Sequence, residues 1–276
     1  MNPQALTHPY LSEPGRPRPR RSVAELLESL EIIAANSASL LSNRSARFTV
    51  NGEPYELPRY LFVGPQGGDD PIRIGLFATL HGDEPEGAQA LVELVRSLEK
   101  SPEAARGYCL FIYPVCNPTG YEDNTALSRR GRDFDTEFWN HTPEPEVALL
   151  QTELYTHAFH GIVSLRSDQG GAGIHGLVGS ATLNQYLIQP ALAVAEAILE
   201  RDRPPVTGTS RTGGGTVRQS PLGALSAPPG LRPRPFEIAL HVPQATLQLF
   251  PERALVAALH TILATYREFI AYAANL

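Results

Sequence analysis

Residues 72–87 read IRIGLFATLHGDEPEG, and this stretch decides the fold class of the chain. Residues 72–80 are mostly apolar, which is typical of a buried central strand, and Pro85 lies near the first turn of a helix that we expect to run to Lys100. A second apolar segment, GYCLFIYPV, follows at residues 107–115. Strand, helix and strand in this order predict a βαβ unit, so we expect a sheet that is at least partly parallel.

Strands and helices alternate on both sides of this unit as well. Ser22 has Glu25 three residues later, which is the pattern of a helix N-cap, and Asn51-Gly52 between two strand-like segments predicts a hairpin turn. This order favours one α/β domain. We predict further helices at 22–41, 145–159, 181–200 (interrupted near Pro190) and 251–274, and further strands at 46–50, 53–58, 161–167 and 236–242.

Two segments lack apolar periodicity and set the expected domain bounds. Residues 1–21 are rich in Pro and Arg, so we expect a flexible arm that precedes a single domain at residues 22–276. Residues 204–235 are rich in Gly, Pro, Ser and Thr and predict a long loop within that domain, beside a site.

Composition excludes several classes of protein. The chain has 276 residues with Lys+Arg 23 and Asp+Glu 29, and its net charge of −6 argues against a general binder of nucleic acid or of anionic membranes. The first 22 residues lack the apolar core of a secretory signal, and no segment is apolar over a membrane-spanning length. Cys109 and Cys116 share one extended apolar segment, too far apart for a disulfide. We therefore expect a cytoplasmic protein in a reducing compartment.

The sharpest chemical signal is the pair His81 and Glu84, which directly follows the first central strand. Open α/β folds collect their sites at the carboxyl ends of such strands. Imidazole nitrogen and carboxylate oxygen suit zinc, and three residues of spacing across a turn let the two groups converge. A histidine held by its own loop, beside a glutamate favoured by the helix dipole, gives the same pattern without any metal.

An ordered series of motifs adds a resemblance to a known family. The chain resembles the zinc metallocarboxypeptidases and their relatives, the succinylglutamate desuccinylase and aspartoacylase group, over roughly residues 46–275. The motifs are HGDEPEG, YPVCNPTGYEDNT, RRGRDFDTEFW, SLRSDQGGAGIHG and FEIALHVP. The resemblance implies a three-layer α/β/α sandwich around a mixed, mostly parallel twisted sheet, and hydrolysis of amide bonds in peptides or N-acyl amino acids. It also implies a zinc ion held by His81, Glu84 and a later histidine.

Two positions depart from the family pattern where the chemistry depends on them. The third zinc-ligand position is Arg166, and a guanidinium cannot coordinate zinc. The position of the general-base glutamate is His241. We therefore expect weak peptidase activity or none, and zinc only if another third ligand has been recruited.

The substrate-binding motifs are altered too. The family's DLNR motif is Asp133-Phe134-Asp135-Thr136 here, so Asp135 stands at a substrate-binding position, and the NTR motif is Asn124-Thr125-Ala126. Asn117, Pro118 and Gly120 of the turn after the second central strand are intact. We expect Asn117 to contact substrate, with nearby arginines as substitutes for the missing cations. These substitutes are Arg129, Arg130 and Arg132.

Three arrangements of this site are open. Arg166 can approach Glu84 and supply the positive charge in a metal-free pocket. Alternatively, Arg166 swings outward, and His241 completes a zinc site with His81 and Glu84. In the third arrangement the true third ligand is another histidine. The candidates are His157, His160 and His175.

These arrangements give two classes of function. With metal, the chain is a hydrolase in which zinc activates water, and His241 as a ligand would leave the role of base to Asp168, Asp135 or Glu237. Without metal, it is a pseudo-enzyme that binds a small molecule or peptide through a carboxylate, using Arg166, Arg129 and Arg130. The partner is a small molecule or peptide in either case, and neither nucleic acid nor membrane.

Overall fold

The computed structural model describes residues 20–67, 70–169, 173–200, 225–246 and 249–273. Of the expected arm, the structure describes only residues 20–21. Of the expected loop, it describes only residues 225–235.

A mixed, seven-stranded sheet forms the middle layer of the described part of the chain, in the order β1-β2-β4-β3-β5-β7-β6. Strands β4, β3, β5 and β7 run parallel, whereas β1, β2 and β6 join the two edges antiparallel. The first apolar segment is therefore the central strand, and the predicted βαβ unit is present. The strands are β1 (Leu40–Val50), β2 (Glu53–Val63), β3 (Ile72–Ala78), β4 (Tyr108–Tyr113), β5 (Gly161–Asp168), β6 (His175–Val178) and β7 (Phe236–Pro243).

Helices cover both faces of this sheet, which gives the expected three-layer α/β/α sandwich. The helices are α1 (Val23–Asn36), α2 (Glu86–Lys100), α3 (Pro118–Asp123), α4 (Phe134–Glu137), α5 (Pro145–Thr156), α6 (Ala181–Leu183), α7 (Gln189–Ala195) and α8 (Pro251–Ala273). Helices α1, α2, α7 and α8 bury their apolar residues against one face, and α4 and α5 cover the other.

Residues of the central strands alternate between these two cores, as the period of a strand requires. Leu76 packs on the side of α2 and α8, and its neighbour Phe77 packs on the side of α5. Across the parallel pair, Phe77 stacks on Tyr113 with ring centroids 4.6 Å apart. Burial on both faces explains why these strands read as continuous apolar runs.

The first helix is shorter than the sequence predicts. Ser22 is its N-cap and accepts a hydrogen bond from the backbone N–H of Glu25, but the helix ends at Asn36 rather than at residue 41. The side chain of Ser37 accepts hydrogen bonds from the backbone N–H groups of Ser39 and Leu40, which turns the chain into β1. Serine competes for backbone donors in this way, so the apolar run that follows becomes a strand.

Two other elements differ from the expected pattern. The predicted helix at 181–200 consists of α6, a wide π-helical turn at Asn184–Ile188 and α7, with Pro190 in the first turn of α7. Strand β6 was not predicted at all, because its four residues pair with β7 alone and are too few for a periodic signal. In the part of the chain that the structure describes, none of the helices has the length and apolar character to cross a membrane.

Candidate functional site

The candidate site lies at the carboxyl ends of β3, β5 and β7. Leu165 and Leu240 pack on the side of α2 and α8, so Arg166 and His241, one residue later, point to the opposite face. Arg166 and His241 are direct neighbours in the register of β5 and β7. The chain turns at residues 79–84 after β3 and delivers His81 to the same edge.

This turn is tightly constrained. Thr79 is buried with φ 53, a left-handed conformation that is uncommon for a β-branched residue, and its hydroxyl donates to the carbonyl of Glu84 at 3.1 Å. The N–H of Glu84 donates to the carbonyl of His81 at 3.1 Å. A Cβ at Gly82 would lie 1.9 Å from the carbonyl carbon of Gly120, so the backbones can approach only because Gly82 has no side chain. The turn thus holds His81 and Glu84 side by side.

Glu84 joins His81 to Arg166. Its Oε1 lies 2.8 Å from His81 Nδ1, and its Oε2 accepts from Arg166 Nε at 3.0 Å and from the backbone N–H of Ser167 at 3.2 Å. The side chains of Arg166 and Glu84 are only 9% and 8% exposed. Both carboxylate oxygens are therefore occupied within the protein.

Two aspartates of α4 and its cap complete the cluster. Asp133 is the N-cap of α4 and accepts from the N–H of Asp135 at 2.9 Å. Asp135 accepts from Arg166 Nη1 at 3.1 Å and from Nη2 at 3.2 Å. The Nε2 of His81 lies 3.3 Å from Asp133 Oδ1 and 3.4 Å from Asp135 Oδ2. Every nitrogen of Arg166 and of His81 thus faces a carboxylate.

These contacts set the ionisation of the cluster. Burial lowers the pKa of His81, but hydrogen bonds to Asp135 and Glu84 outweigh burial and raise the pKa to about 10. Arg166 Nη2 lies 2.9 Å from His81 Nδ1, and this like charge also opposes protonation of the ring. Burial raises the pKa of Glu84, yet the bond from His81 and the charge of Arg166 hold that pKa below its usual value. Glu84, Asp135, His81 and Arg166 are therefore ionised at neutral pH, with two carboxylates against two cations.

A second group of side chains lies on the neighbouring strands. His241 Nδ1 is 3.2 Å from both carboxylate oxygens of Asp168, and His175 Nε2 is 3.8 Å from Asp168 Oδ2. The rings of His175 and His241 stack with centroids 4.7 Å apart and an interplanar angle of 16°. We refer to Asp168, His175 and His241 as the histidine pair cluster.

Solved structures show which fold this arrangement belongs to. A metallo-carboxypeptidase from Burkholderia cenocepacia is similar over 91% of this chain and 70% of that protein, with a TM-score of 0.69 and 14% sequence identity. The chain has the metallocarboxypeptidase fold. A metallo-carboxypeptidase from Pseudomonas aeruginosa, in complex with (2-guanidinoethylmercapto)succinic acid, is similar over 90% of this chain and 70% of that protein, with a TM-score of 0.64 and 16% identity.

The metallocarboxypeptidase fold extends to the desuccinylase group. A succinylglutamate desuccinylase/aspartoacylase from Rhodobacter sphaeroides is similar over 82% of this chain and 66% of that protein, with a TM-score of 0.54 and 16% identity. No protein-family model matches the sequence, and no curated protein matches it significantly. At these identities the comparisons establish the fold, and the chemistry depends on the side chains at the site.

Zinc, which the metallocarboxypeptidase fold implies, does not fit between His81 and Glu84 here. The atoms that would coordinate it are His81 Nδ1 and the Glu84 carboxylate, and both contact the guanidinium of Arg166. Arginine has five N–H donors and no lone pair for a metal, so Arg166 supplies charge but no third ligand. His81, Asp133 and Asp135 also have ligand atoms within 4.8 Å of one another, but Arg166 donates to both oxygens of Asp135.

The structure gives the expected substrate-binding residues other contacts. Asn117 is fully buried as the N-cap of α3, where its Oδ1 accepts from the N–H of Gly120 at 2.8 Å. Arg129 donates to Asp123 from Nε and Nη2, each at 2.8 Å, and also contacts Glu53. Arg130 donates to a backbone carbonyl, that of Pro143, at 2.9 Å. Their roles toward substrate stay predictions.

The remaining candidates lie in different places. His157 caps the end of α5 and contacts Glu153 at 3.0 Å, and His160 accepts from the N–H of Arg73 before β5 begins, so neither joins the cluster. Glu237 accepts from the N–H of Ala227 at 2.8 Å. Of the three alternative ligands, only His175 comes close to a predicted site residue, and it does so through strand β6.

Sequence reasoning missed the parts of the site that depend on tertiary contacts. Ser167 donates its hydroxyl to Glu86 Oε2 at 2.6 Å, and Glu86 Oε1 accepts from the N–H of Ala245, which ties β5 and the end of β7 to α2. In the sequence Asp133 stands in an altered motif, but an aspartate directly before a short helix is also an N-cap signal. His175 and His241 could be paired only once the antiparallel register of β6 and β7 was known.

Proposed function

We propose that this chain is a divergent member of the carboxypeptidase and desuccinylase group that has become a ligand-binding pseudo-enzyme. Arg166 replaces the zinc ion between His81 and Glu84, so this position no longer activates water. The proposal depends on one observation above all, the contact of 3.0 Å between Arg166 Nε and Glu84 Oε2. The fold, and the position of the candidate site at the carboxyl ends of β3, β5 and β7, support the kinship with hydrolases.

The energetics of the pair support this replacement. Arg166 and Glu84 are both more than nine-tenths buried, and if the guanidinium moved away, His81 alone would balance the charges of Glu84 and Asp135. Breaking a buried pair by removing one partner costs about 3–5 kcal/mol. Zinc could enter only by displacing Arg166 from Glu84 and from Asp135 together, so the pair opposes the outward swing that a zinc site needs.

The exposed carboxylates of the candidate site favour a ligand that carries a positive group. The side chains of Asp133, Asp135 and Asp168 are 42%, 32% and 43% exposed, so carboxylates form its accessible rim. Arg166 and Arg129 already bind carboxylates of the protein, and an anionic ligand would have to displace them. We infer that the candidate site binds an ammonium or guanidinium group of a small molecule or peptide.

Turnover measurements on variants test the proposal. The purified chain is assayed against N-acyl amino acids and short peptides, with and without added zinc, beside His81→Ala and Glu84→Gln. We expect no turnover that depends on either residue. Hydrolysis by the unaltered chain that both substitutions abolish would overturn the proposal.

A gain-of-binding variant adds a positive readout. Arg166→His replaces the guanidinium by a zinc ligand next to His81 and Glu84, so we expect this variant to bind an additional zinc ion that the unaltered chain does not bind, and His81→Ala should remove that additional ion. Arg96→His, on the exposed side of α2, is the matched control and should leave zinc binding unchanged. The same number of bound zinc ions in Arg166→His and in the unaltered chain would contradict the replacement of zinc by Arg166.

A further inference from the structure

We propose that the histidine pair cluster, Asp168, His175 and His241, binds one divalent transition-metal ion of the zinc class. This set of side chains is distinct from the His81–Glu84 pair. It combines two imidazoles with one carboxylate, which is a common ligand set for zinc, and it leaves further coordination positions open.

The backbone holds the three side chains at one edge of the sheet. His175 and His241 are directly opposite each other in the antiparallel register of β6 and β7. Arg166 on β5 is paired with His241 on β7. Asp168 follows Arg166 by two residues, so Asp168 points to the same face of the sheet as Arg166 and His241. Three hydrogen-bonded strands thus hold the backbone of all three residues in place without a metal ion.

The distances fit coordination by a single ion. Tetrahedral zinc with bonds of about 2.0–2.1 Å places its ligand atoms about 3.3–3.4 Å from one another. Asp168 Oδ2 lies 3.2 Å from His241 Nδ1 and 3.8 Å from His175 Nε2. One ligand atom from each of the three residues lies within 4.8 Å of those of the other two. Because the rings of His175 and His241 stack at an interplanar angle of 16°, binding requires both rings to rotate until one nitrogen of each faces the ion.

Charge and access favour a cation at this place. Asp168 supplies carboxylate oxygens, each 3.2 Å from the Nδ1 of His241, and a carboxylate is an oxygen ligand that attracts a divalent cation. Arg166, the neighbour of His241 in the register of β5 and β7, is neutralised by Glu84 and Asp135. The side chains of His175 and His241 are each 16% exposed, and that of Asp168 is 43% exposed. Water and metal can therefore reach the cluster.

Zinc titration of the full chain tests the site. The protein is stripped of metal with a chelator, dialysed and titrated with zinc, and we expect saturation at one ion per chain. Loss of residues that only orient metal ligands costs roughly 10–100-fold in affinity, so His175→Ala and His241→Ala should each weaken binding at least ~100-fold. Asp168→Asn keeps the shape of the side chain and should also weaken it.

His81→Ala is the matched control, because it removes a histidine of the same cleft that the proposal leaves out. We expect its zinc affinity to equal that of the unaltered chain. Zinc should raise the melting temperature of the unaltered chain and of His81→Ala, and not that of His175→Ala or His241→Ala. Cobalt gives an independent readout, since its visible absorption reports the number and geometry of its ligands.

Several outcomes would overturn the inference. They are the absence of stoichiometric zinc binding by the unaltered chain, undiminished binding by both His175→Ala and His241→Ala, and loss of binding in His81→Ala alone. If an alanine variant fails to fold without metal, which its circular dichroism reports, Asp168→Asn decides the question. The result is also separable from the proposed function, because that proposal fails through turnover that depends on His81 and Glu84.

Discussion

Arg166 donates from Nε to Oε2 of Glu84 at 3.0 Å, and this contact links the end of β5 to the turn after β3. Strands β3 and β5 are adjacent and parallel, so their carboxyl ends meet at one edge of the sheet. Open α/β folds collect their sites at this edge, and the guanidinium of Arg166 places a positive charge there. A covalently attached guanidinium cannot exchange with solvent as a metal ion does. The contact therefore fixes both the geometry and the charge of the site around Glu84 and Arg166.

Removing the guanidinium should destabilise the protein strongly. We predict that Arg166→Met lowers the free energy of unfolding by about 3–5 kcal/mol, because Glu84 and Asp135 lose the guanidinium that they share and His81 is the one cation left between them. Adding Glu84→Gln should recover a large part of this loss. Urea unfolding of the single and double variants measures both effects.

An exposed ion pair supplies the control for this cycle. Arg96 and Glu93 on α2 are 44% and 47% exposed, so Arg96→Met should cost no more than about 1 kcal/mol. A similar small loss for Arg166→Met would show that solvent reaches Glu84 easily, and the argument for a replaced zinc ion would lose its energetic support.

The stability of the protein should fall at alkaline pH because of His81. Its pKa is about 10 in the folded protein and about 6.5 in an unfolded chain. A raised pKa contributes stability that is fully present below the unfolded value and is lost as the pH rises through the folded value. We therefore predict a decline between pH ~6.5 and pH ~10 that is smaller in His81→Gln.

Unfolding in urea at a series of pH values measures this difference, and the comparison with His81→Gln removes the contributions of tyrosines and cysteines. Parallel curves for the two proteins over the whole range would mean that His81 is not held in its charged form.

Much of the fold could be predicted from the sequence because the central strands are buried on both faces. Residues 72–80 and 107–115 therefore read as apolar runs, and the intervening helix has one apolar side. The end of α1 could not be predicted, since the apolar periodicity continues through Leu40 while the side chain of Ser37 redirects the backbone. Strand β6 is too short to carry a signal of its own and exists through its pairing with β7.

The candidate site was predictable to the extent that its residues follow strands. His81, Glu84 and Arg166 each lie at or just beyond the end of a strand, and the contact between Arg166 and Glu84 is the first of the three arrangements that the sequence left open. The grouping of His175 with His241 depends on register, which a sequence alone does not contain. The ion pair between Arg129 and Asp123 likewise depends on the folded structure.

Asp135 should control the ionisation of His81. Its Oδ2 lies 3.4 Å from His81 Nε2, and the hydrogen bond between them is the largest influence that raises the pKa of the ring. We predict that Asp135→Asn lowers this pKa, which the ring proton resonances of His81 report in an NMR titration. Because Asp135 is 32% exposed, its substitution should cost much less stability than that of Arg166. An unchanged His81 pKa would show that Glu84 alone holds the ring protonated.

Substitution of Asn117 tests whether this residue has a structural role or a substrate-binding role. Its side chain accepts from the N–H of Gly120 at 2.8 Å and donates to the carbonyl of Leu80 at 3.3 Å, and it is fully buried. We predict that Asn117→Ala lowers the free energy of unfolding by about 1–3 kcal/mol, since an N-cap is lost and a buried carbonyl loses a donor. Asn36→Ala, at the exposed end of α1, should change it by no more than about 0.5 kcal/mol. Ligand binding that weakens in Asn117→Ala with stability unchanged would instead assign Asn117 to the ligand, as its position in the motif suggests.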